Sequence, residues 1–192
     1  MIDPFNVTNY EYSDAELQEF LVACICVAGK TARIMFPKVH NLLWNTSYTC
    51  DTPFESLLKM DSCLESELRK VGMGKYNILK KTLYELPQKV VSGQLDLRTC
   101  SPEDLECFAG IGMKTSRYFI VHSRKNQQKA ILDRHILKFL QQKGYPDIPD
   151  TTPSAKKKYL LLEEYFLREV KLSGKSVADL DLEIWASMAK RV

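Results

Sequence analysis

Two side chains in this sequence have types and a spacing suited to covalent chemistry. Lys114 lies two residues after Gly112, and Asp133 follows 19 residues later in the segment KAILDRHILKFL. A neutral lysine amine can attack an electrophilic carbon but an ammonium cannot, so a nucleophilic lysine needs burial or neighbouring positive charge. A nearby carboxylate can stabilise positive charge on the substrate and relay a proton. Lys114 is therefore the candidate nucleophile, and Asp133 is the candidate carboxylate beside it.

The turn before Lys114 is a candidate phosphate-binding element. In SPEDLECFAGIGMKTSRYFIVHS a capped helix leads into Gly110, Ile111 and Gly112, and a new helix begins at once. The first amides of that helix lack partners within it and lie at its positive end, so they can bind a DNA phosphate without reading base identity. Ile111 would anchor the turn in the core. Tight turns between helices use glycine routinely, so this turn alone is also compatible with a structural role.

The elements that would position this segment are helical. Apolar residues recur with helical periodicity and strand-like alternation is nearly absent, so we predict an all-α fold. Ser13 and Glu16 form a capping-box pattern at the start of a first helix. Pro37 predicts a helix start or a break between two short helices. Gly72 and Gly74 predict a hinge between two later helices.

The same pattern predicts a chain divided into two helical lobes. The proline-rich loop 144–154 separates the middle of the chain from a last helical region. It is the best candidate for a turn back onto the amino-terminal part. The expected division places residues 1–30 and 144–192 in one lobe and residues 31–143, with the helix-hairpin-helix at 101–123, in the other.

Composition excludes several classes of protein. The 192 residues are 45% apolar and 27% charged, which is far from the composition of disordered chains. The six cysteines are too scattered for a zinc ribbon or an iron–sulfur cluster, so no metal or other cofactor is expected. The net charge of +3 is compatible with a polyanionic partner but too small to argue for one. The start MIDPFNVTNYEYSD lacks the pattern of a secretory leader, and no apolar run is long enough for a membrane span. We therefore expect a cytoplasmic protein, nucleoid-associated in a prokaryote, or a nuclear one in a eukaryote.

The hairpin, the lysine and the aspartate together resemble the helix-hairpin-helix superfamily of DNA glycosylases. In that family the hairpin reads L-x-x-(L/F)-x-G-(I/V)-G, a catalytic lysine marks the members with lyase activity, and an aspartate follows about one helix and one loop later. The matching positions here are Leu105, Phe108, Gly110, Ile111, Gly112, Lys114 and Asp133. The I-L-D-R-H-I context of the aspartate and the pattern from Pro153 to Trp185 are most similar to the archaeal and bacterial 8-oxoguanine glycosylase branch. The cysteine cluster of the endonuclease III and adenine glycosylase branches is absent from this sequence.

The resemblance implies a two-lobed enzyme with its active-site cleft between the lobes. It implies a bifunctional DNA glycosylase and β-lyase that flips an oxidised purine, 8-oxoguanine first of all, out of damaged double-stranded DNA and captures the sugar on Lys114 as a Schiff base. The enzyme is expected to act as a monomer and to have no membrane contact. Two alternatives stay open: a glycosylase for another damaged base, and a non-catalytic DNA-binding protein in which Lys114 contacts phosphate and Asp133 only caps a helix.

Further side chains are candidates for contacts with DNA or with the flipped base. The candidates for DNA binding are Gly110, Ile111, Gly112, Lys30, Arg33, Arg134 and His135. Lys30 or Arg33 would fill the space of the flipped nucleotide, because VAGKTAR lacks the Asn or Gln that relatives place there. Trp185 and Met73 are candidates for the base pocket, although each is also compatible with a place in the core. The end of the chain, WASMAKRV, differs from relatives whose terminal lysine contacts the damaged base, which leaves the base specificity open.

Overall fold

This computed structural model describes residues 1–189 of the protein, and the regular secondary structure of that part is helical. The helices are α1 (Asp14–Val27), α2 (Ala32–Trp44), α3 (Pro53–Met60), α4 (Leu64–Lys70), α5 (Tyr76–Val91), α6 (Pro102–Glu106), α7 (Met113–Ser123), α8 (Arg134–Gln142), α9 (Lys156–Ser173) and α10 (Val177–Ala189). The described residues include no β-strand, which confirms the predicted all-α fold. None of these helices is both long enough and apolar enough to cross a membrane.

Local capping signals define where several helices begin. The Ser13 hydroxyl accepts the backbone N–H of Glu16, and the Glu16 carboxylate accepts the N–H of Ser13 at 2.8 Å. This reciprocal pair satisfies two amides that α1 itself leaves without partners. Ser101 and Asp104 make the same pair at the start of α6, the first helix of the hairpin. The capping box at Ser101 therefore defines the start of the hairpin helix through local contacts.

Pro37 lies inside α2, so the prediction of a helix start or break at this residue is wrong. A proline inside a helix cannot donate a hydrogen bond to the carbonyl four residues earlier, which here belongs to Arg33. Both Arg33 and Pro37 are exposed, so water can satisfy that carbonyl. The helix continues because its other face is buried on both sides of the proline, through Met35, Phe36, Val39, Leu42 and Leu43.

The buried apolar side chains form two clusters that meet within α7. The first cluster takes residues from the amino-terminal segment and from α1 to α7 as far as Ile120, and the second takes Val121 and residues from α8, α9 and α10. Helix α1 packs on α2, α3, α5 and α7. The expected grouping of residues 1–30 with 144–192 in one lobe stays a prediction. Residues of α7 belong to both clusters. This helix, which carries Lys114, is therefore packed against the protein on two sides.

One buried guanidinium joins the hairpin to the second cluster. Arg117 is completely buried, and it donates to Glu106 of α6 at 2.6 Å and to Glu163 of α9 at 3.0 Å. Its guanidinium carbon also lies 4.8 Å from the centre of the Tyr159 ring. Burial disfavours the charged form, but Glu163, Tyr159 and Glu106 outweigh it and raise the pKa of Arg117 above its ordinary value. These four side chains, here named the Arg117 cluster, are therefore a charged contact between α6, α7 and α9.

The Arg117 cluster also holds the segment that leads to Asp133. The Glu163 carboxylate accepts the backbone N–H of Ala130 at 2.7 Å. The Tyr159 hydroxyl donates to the Ala130 carbonyl at 2.8 Å and accepts the N–H of Leu132 at 3.2 Å. The same two side chains that face the guanidinium thus bind the backbone just before Asp133.

Glu163→Gln should destabilise the fold strongly, since it leaves a buried guanidinium with one carboxylate instead of two. Removing one partner of a buried ion pair costs about 3 kcal/mol or more. Urea unfolding of wild type and variant measures the loss. Glu164→Gln is the matched control, because Glu164 is the exposed neighbour on the same helix, and its change should stay within about 0.5 kcal/mol. Equal losses in the two variants would show that the Arg117 cluster contributes no more than a surface charge.

Candidate active site

The hairpin between α6 and α7 has the geometry of a phosphate-binding turn. Gly110 adopts a φ of +79°, a left-handed conformation that favours glycine, and Ile111 is buried with 4% of its surface exposed. Gly112 is the residue that precedes α7, and no side chain caps that helix. The amides at the positive end of α7 therefore stay free for an anion.

The hairpin rests on α5 with little room to spare. A side-chain carbon added at Gly110 would lie 2.6 Å from Cγ2 of Ile78, closer than such atoms approach. The Thr82 hydroxyl donates to the carbonyl of Ala109, which ties the entry of the turn to the same helix. At Gly112 an added carbon would meet open space, because no atom lies within 4 Å. The two glycines therefore have different functions: Gly110 allows the turn to form and Gly112 keeps its outer surface open.

Lys114 lies in the first turn of α7, directly after this hairpin, and its side chain is half-buried. No ion pair engages its ammonium among the residues that the structure describes. Helical spacing places Tyr118 and His122 on the same face as Lys114, at successive intervals of four residues. The face of α7 that carries the candidate nucleophile therefore also presents the phenol of Tyr118 and the imidazole of His122, and His122 lies in the interior of the protein.

Asp133 is the N-cap residue of α8. Its Oδ1 atom accepts the backbone N–H groups of His135 at 2.8 Å and Ile136 at 2.9 Å. The structural role that the sequence left open is thus present, and it uses one carboxylate oxygen. The side chain is half-buried, and its Oδ2 atom accepts no hydrogen bond from the described residues. Arg134 is exposed, and its Nε atom donates to Nε2 of His135 at 3.3 Å.

The structure adds Asp181 of α10 to this region, a residue that the sequence interpretation missed. Asp181 is 7% exposed, and Nε2 of the fully buried His122 lies 3.4 Å from its Oδ2. Burial raises the pKa of the Asp181 carboxyl, His122 lowers it, Asp133 raises it and Lys114 lowers it. The charges of Lys114 and Asp133 thus both contribute to the electrostatic surroundings of this carboxyl, after burial and His122. The sequence signal was the interval of four residues between Asp181 and Trp185, which puts both on one face of α10.

Trp185 lies at the outer part of this region. It is 38% exposed, and its ring centre lies 6.1 Å from that of Phe5, which is 58% exposed. An exposed aromatic face of this kind can stack on a base. Met73 is in a different situation, because its side chain is completely buried in the first apolar cluster. Contact between Met73 and a base would require that cluster to open.

The two candidates for filling the space of the flipped nucleotide differ in their contacts. The Lys30 ammonium donates to the carbonyl of Met73, and burial lowers the pKa of Lys30. The Lys75 ammonium, from the loop before α5, donates to the carbonyl of Ala28 in the loop before α2 at 2.8 Å. The two loops are therefore joined by one lysine from each. The Arg33 side chain is exposed. Of the two, Arg33 is the one whose side chain can enter a DNA stack without first breaking an internal bond.

Two solved structures share this fold. The crystal structure of Methanocaldococcus jannaschii 8-oxoguanine DNA glycosylase is 20% identical in sequence and superposes with a TM-score of 0.73, covering 97% of this chain and 85% of that one. The 8-oxoguanine glycosylase/lyase of the same organism in complex with a 15mer DNA containing 8-oxoguanine is 23% identical, with a TM-score of 0.65 and coverage of 91% and 81%. The fold is thus that of a helix-hairpin-helix DNA glycosylase.

The family follows from the sequence match over most of the chain. A family model described as 8-oxoguanine DNA glycosylase matches residues 1–175. The protein belongs to this family, as the resemblance of its hairpin, lysine and aspartate implied. The roles of the individual site residues stay predictions, and the last residues of WASMAKRV, 190–192, lie outside the described part of the chain.

Substitution of the two hairpin glycines by alanine should have opposite consequences. Gly110→Ala should lower the free energy of unfolding by at least about 1 kcal/mol, because alanine is strained at positive φ and its Cβ would press on Ile78. Gly112→Ala should unfold like wild type, yet it should bind damaged and undamaged duplex more weakly by a similar amount, about 1 to 3 kcal/mol.

Urea unfolding and dissociation constants at one salt concentration test both statements. A loss in Gly112→Ala that is confined to the damaged duplex would place the turn in the base pocket instead of on the phosphate backbone.

Proposed function

We propose that this protein excises 8-oxoguanine from duplex DNA and then cleaves the strand beside the lesion, with Lys114 as the nucleophile and Asp133 as the carboxylate of the transition state. The observation that supports these roles is that Lys114 lies in the first turn of α7, directly after a hairpin whose amides no side chain caps, while Asp133 binds the start of α8 through a single carboxylate oxygen. The similar M. jannaschii protein is described as a glycosylase/lyase with 8-oxoguanine DNA. We place the enzyme in the compartment that holds the genome, the cytoplasm of a prokaryote or the nucleus of a eukaryote.

DNA binding begins at the hairpin in this proposal. The free amides at the start of α7 donate hydrogen bonds to a phosphate oxygen, and Lys114 in the same helical turn then faces the adjoining sugar. The target nucleotide turns out of the stack, and the exposed ring of Trp185 supports its base. Arg134 and His135, at the start of α8, lie next to Asp133 and are placed to contact the backbone on the other side. The flipped sugar therefore lies between the starts of α7 and α8.

The covalent step joins Lys114 to the sugar. Once the amine has released its proton, the Nζ lone pair forms a bond to C1′ as the glycosidic bond breaks, and the bonding electrons leave with the base, which takes up a proton. The positive charge on the sugar is greatest while the glycosidic bond breaks, and the Asp133 carboxylate stabilises it there. Opening of the sugar ring yields a protonated Schiff base. Loss of a proton from C2′ then expels the phosphate from C3′, which breaks the strand.

Lys114→Gln should abolish trapping of the protein on lesion-containing duplex by borohydride, because an amide cannot form the imine that borohydride reduces. Strand cleavage should be lost as well, while binding of the lesion duplex survives. Lys138→Gln, an exposed position on α8, is the control for loss of one positive charge. Trapping of Lys114→Gln at the wild-type level would show that another amine is the nucleophile, and absence of trapping by wild type would contradict the lyase function itself.

Substitutions at Asp133 should separate catalysis from helix capping. Asn and Ser cap helices about as well as Asp, so Asp133→Asn and Asp133→Ser should keep the stability of the fold, whereas Asp133→Ala should lose about 1 kcal/mol. All three should slow base excision by about 100-fold or more, because each removes the negative charge. Single-turnover excision and urea unfolding give the two quantities. Excision rates that follow stability, with Asn and Ser near wild type, would reduce Asp133 to a structural residue.

A further inference from the structure

The first residues of the chain form a small loop whose two ends are buried and whose middle is exposed. Ile2 and Val7 belong to the first apolar cluster, with 8% and 0% of their surfaces exposed, whereas Phe5 between them is 58% exposed. The Asp3 carboxylate accepts the N–H of Phe5 at 2.9 Å, and the Asp3 carbonyl accepts the N–H of Asn6 at 3.2 Å. This stretch from Ile2 to Val7, here named the amino-terminal loop, therefore holds the Phe5 ring on the outside of the protein.

The Phe5 ring packs on the indole of Trp185. The ring centres lie 6.1 Å apart and the ring planes are inclined by 54°, so the two rings are in contact without being stacked face to face. Trp185 keeps 38% of its surface exposed in spite of this contact. Single exposed apolar side chains are common on protein surfaces, but this one is directed at the residue that is proposed to support the flipped base. The contact covers one side of the indole and leaves part of the ring accessible.

The residues that follow the amino-terminal loop bind the same face of α10 through α7. The Thr8 hydroxyl lies 2.7 Å from Nδ1 of His122, and the backbone N–H of Asn9 donates to the His122 carbonyl at 3.0 Å. On the other side of the imidazole, Nε2 lies 3.4 Å from Oδ2 of Asp181. Asp181 is four residues before Trp185 and therefore lies one turn away on the same face of α10. The start of the chain thus contacts two successive turns of that helix, one directly through Phe5 and one through His122.

We propose that Phe5 is a positioning residue of the active site, which holds the Trp185 indole in the orientation that stacks on the flipped base. The proposal rests on the proposed function, because it takes Trp185 as the side chain that supports the base. Phe5 acts through the indole in this scheme and does not itself contact the base. The amino-terminal loop fixes the orientation relative to α7, the helix that carries Lys114.

The physical reason is the cost of ordering a side chain on binding. An exposed indole can rotate about two bonds, and a base can stack on it in only some of the resulting orientations. Restricting that rotation before DNA arrives lowers the free energy that binding would otherwise lose to ordering. The first residues of a domain are poorly ordered unless they are tied down, so Phe5 can restrict Trp185 only because Ile2 and Val7 anchor its loop.

Fluorescence tests the contact without DNA. The chain has two tryptophans, so Trp44→Phe leaves Trp185 as the only indole. In that background Phe5→Ala should lower the fluorescence anisotropy of the indole, because the ring gains freedom to rotate. Phe5→Leu keeps an apolar side chain that reaches the indole and should retain the anisotropy of the background protein. An anisotropy that Phe5→Ala leaves unchanged would show that Phe5 does not restrict Trp185, which overturns the proposal.

Affinity for DNA tests the consequence for base recognition. Each protein carries Lys114→Gln, so that the 8-oxoguanine duplex stays intact, and the reference is the same duplex with a tetrahydrofuran analogue that has no base. Phe5→Ala should weaken binding of the 8-oxoguanine duplex about fivefold relative to the reference at one salt concentration, because the indole is then ordered only on binding. Phe5→Leu should recover most of that loss. Tyr84→Ala is the matched control, because Tyr84 is an aromatic residue of α5 with 39% of its surface exposed, and it should keep the parent ratio.

The outcomes separate this proposal from the proposed function. A loss in Phe5→Leu as large as that in Phe5→Ala would mean that the phenyl ring itself stacks on the base, which overturns the positioning role. Equal losses on both duplexes would assign the amino-terminal loop to the DNA backbone, and an unchanged ratio in Phe5→Ala would leave the contact without a function; each result also overturns the proposal. Trp185→Ala tests the proposed function itself. If that variant keeps the parent ratio, Trp185 does not support the base, and the inference about Phe5 falls with that assignment.

Discussion

The relative position of the hairpin and Asp133 depends on one buried charge, the guanidinium of Arg117. Taking this cation out of water costs free energy, and an ion pair in the interior rarely stabilises a fold more than apolar side chains of the same size would. The contribution of this ion pair is to exclude other arrangements of the helices around α7. A buried guanidinium must be met by Glu106 and Glu163, so α6 and α9 can approach α7 in one arrangement only. Sliding either helix by one turn would leave an unpaired charge inside the protein.

Arg117 lies between the two candidate catalytic residues along the chain, and its partner Glu163 binds the backbone that leads to the second of them. Arg117 is three residues after Lys114, while Glu163 binds the backbone of Ala130, three residues before Asp133. A movement of the guanidinium would therefore displace both Lys114 and Asp133. Supporting groups that are themselves held by packing and hydrogen bonds are what keep a reactive lysine and a carboxylate in register. The apolar clusters on either side of α7 bury apolar surface, but their contacts do not depend on direction as the ion pairs of Arg117 do.

Signals within a few residues of each other were sufficient to predict the helices and the hairpin. The capping box at Ser13, the capped helix before the hairpin and the Gly-Ile-Gly turn are local chemistry, and the structure has them where the pattern predicted them. Pro37 was misjudged for the complementary reason: the penalty of an interior proline is local, but the burial that outweighs it comes from tertiary packing. Arg117 was also missed, because a single arginine on a helix usually faces solvent and its carboxylate partners are 11 and 46 residues away.

The same distinction explains why the sequence indicated Lys114 and Asp133 and not Asp181. A motif reports residues that lie close together in the chain, and the hairpin with its lysine is such a motif. Asp181 meets His122 only because α10 folds back onto α7, and His122 faces it only because Thr8, from the amino-terminal segment, engages the other side of the ring. Three separate stretches of chain must be in place before this carboxylate and the imidazole meet. The pairing of Asp181 with His122 is thus a property of the assembled fold, whereas the candidate nucleophile could be identified from the local sequence.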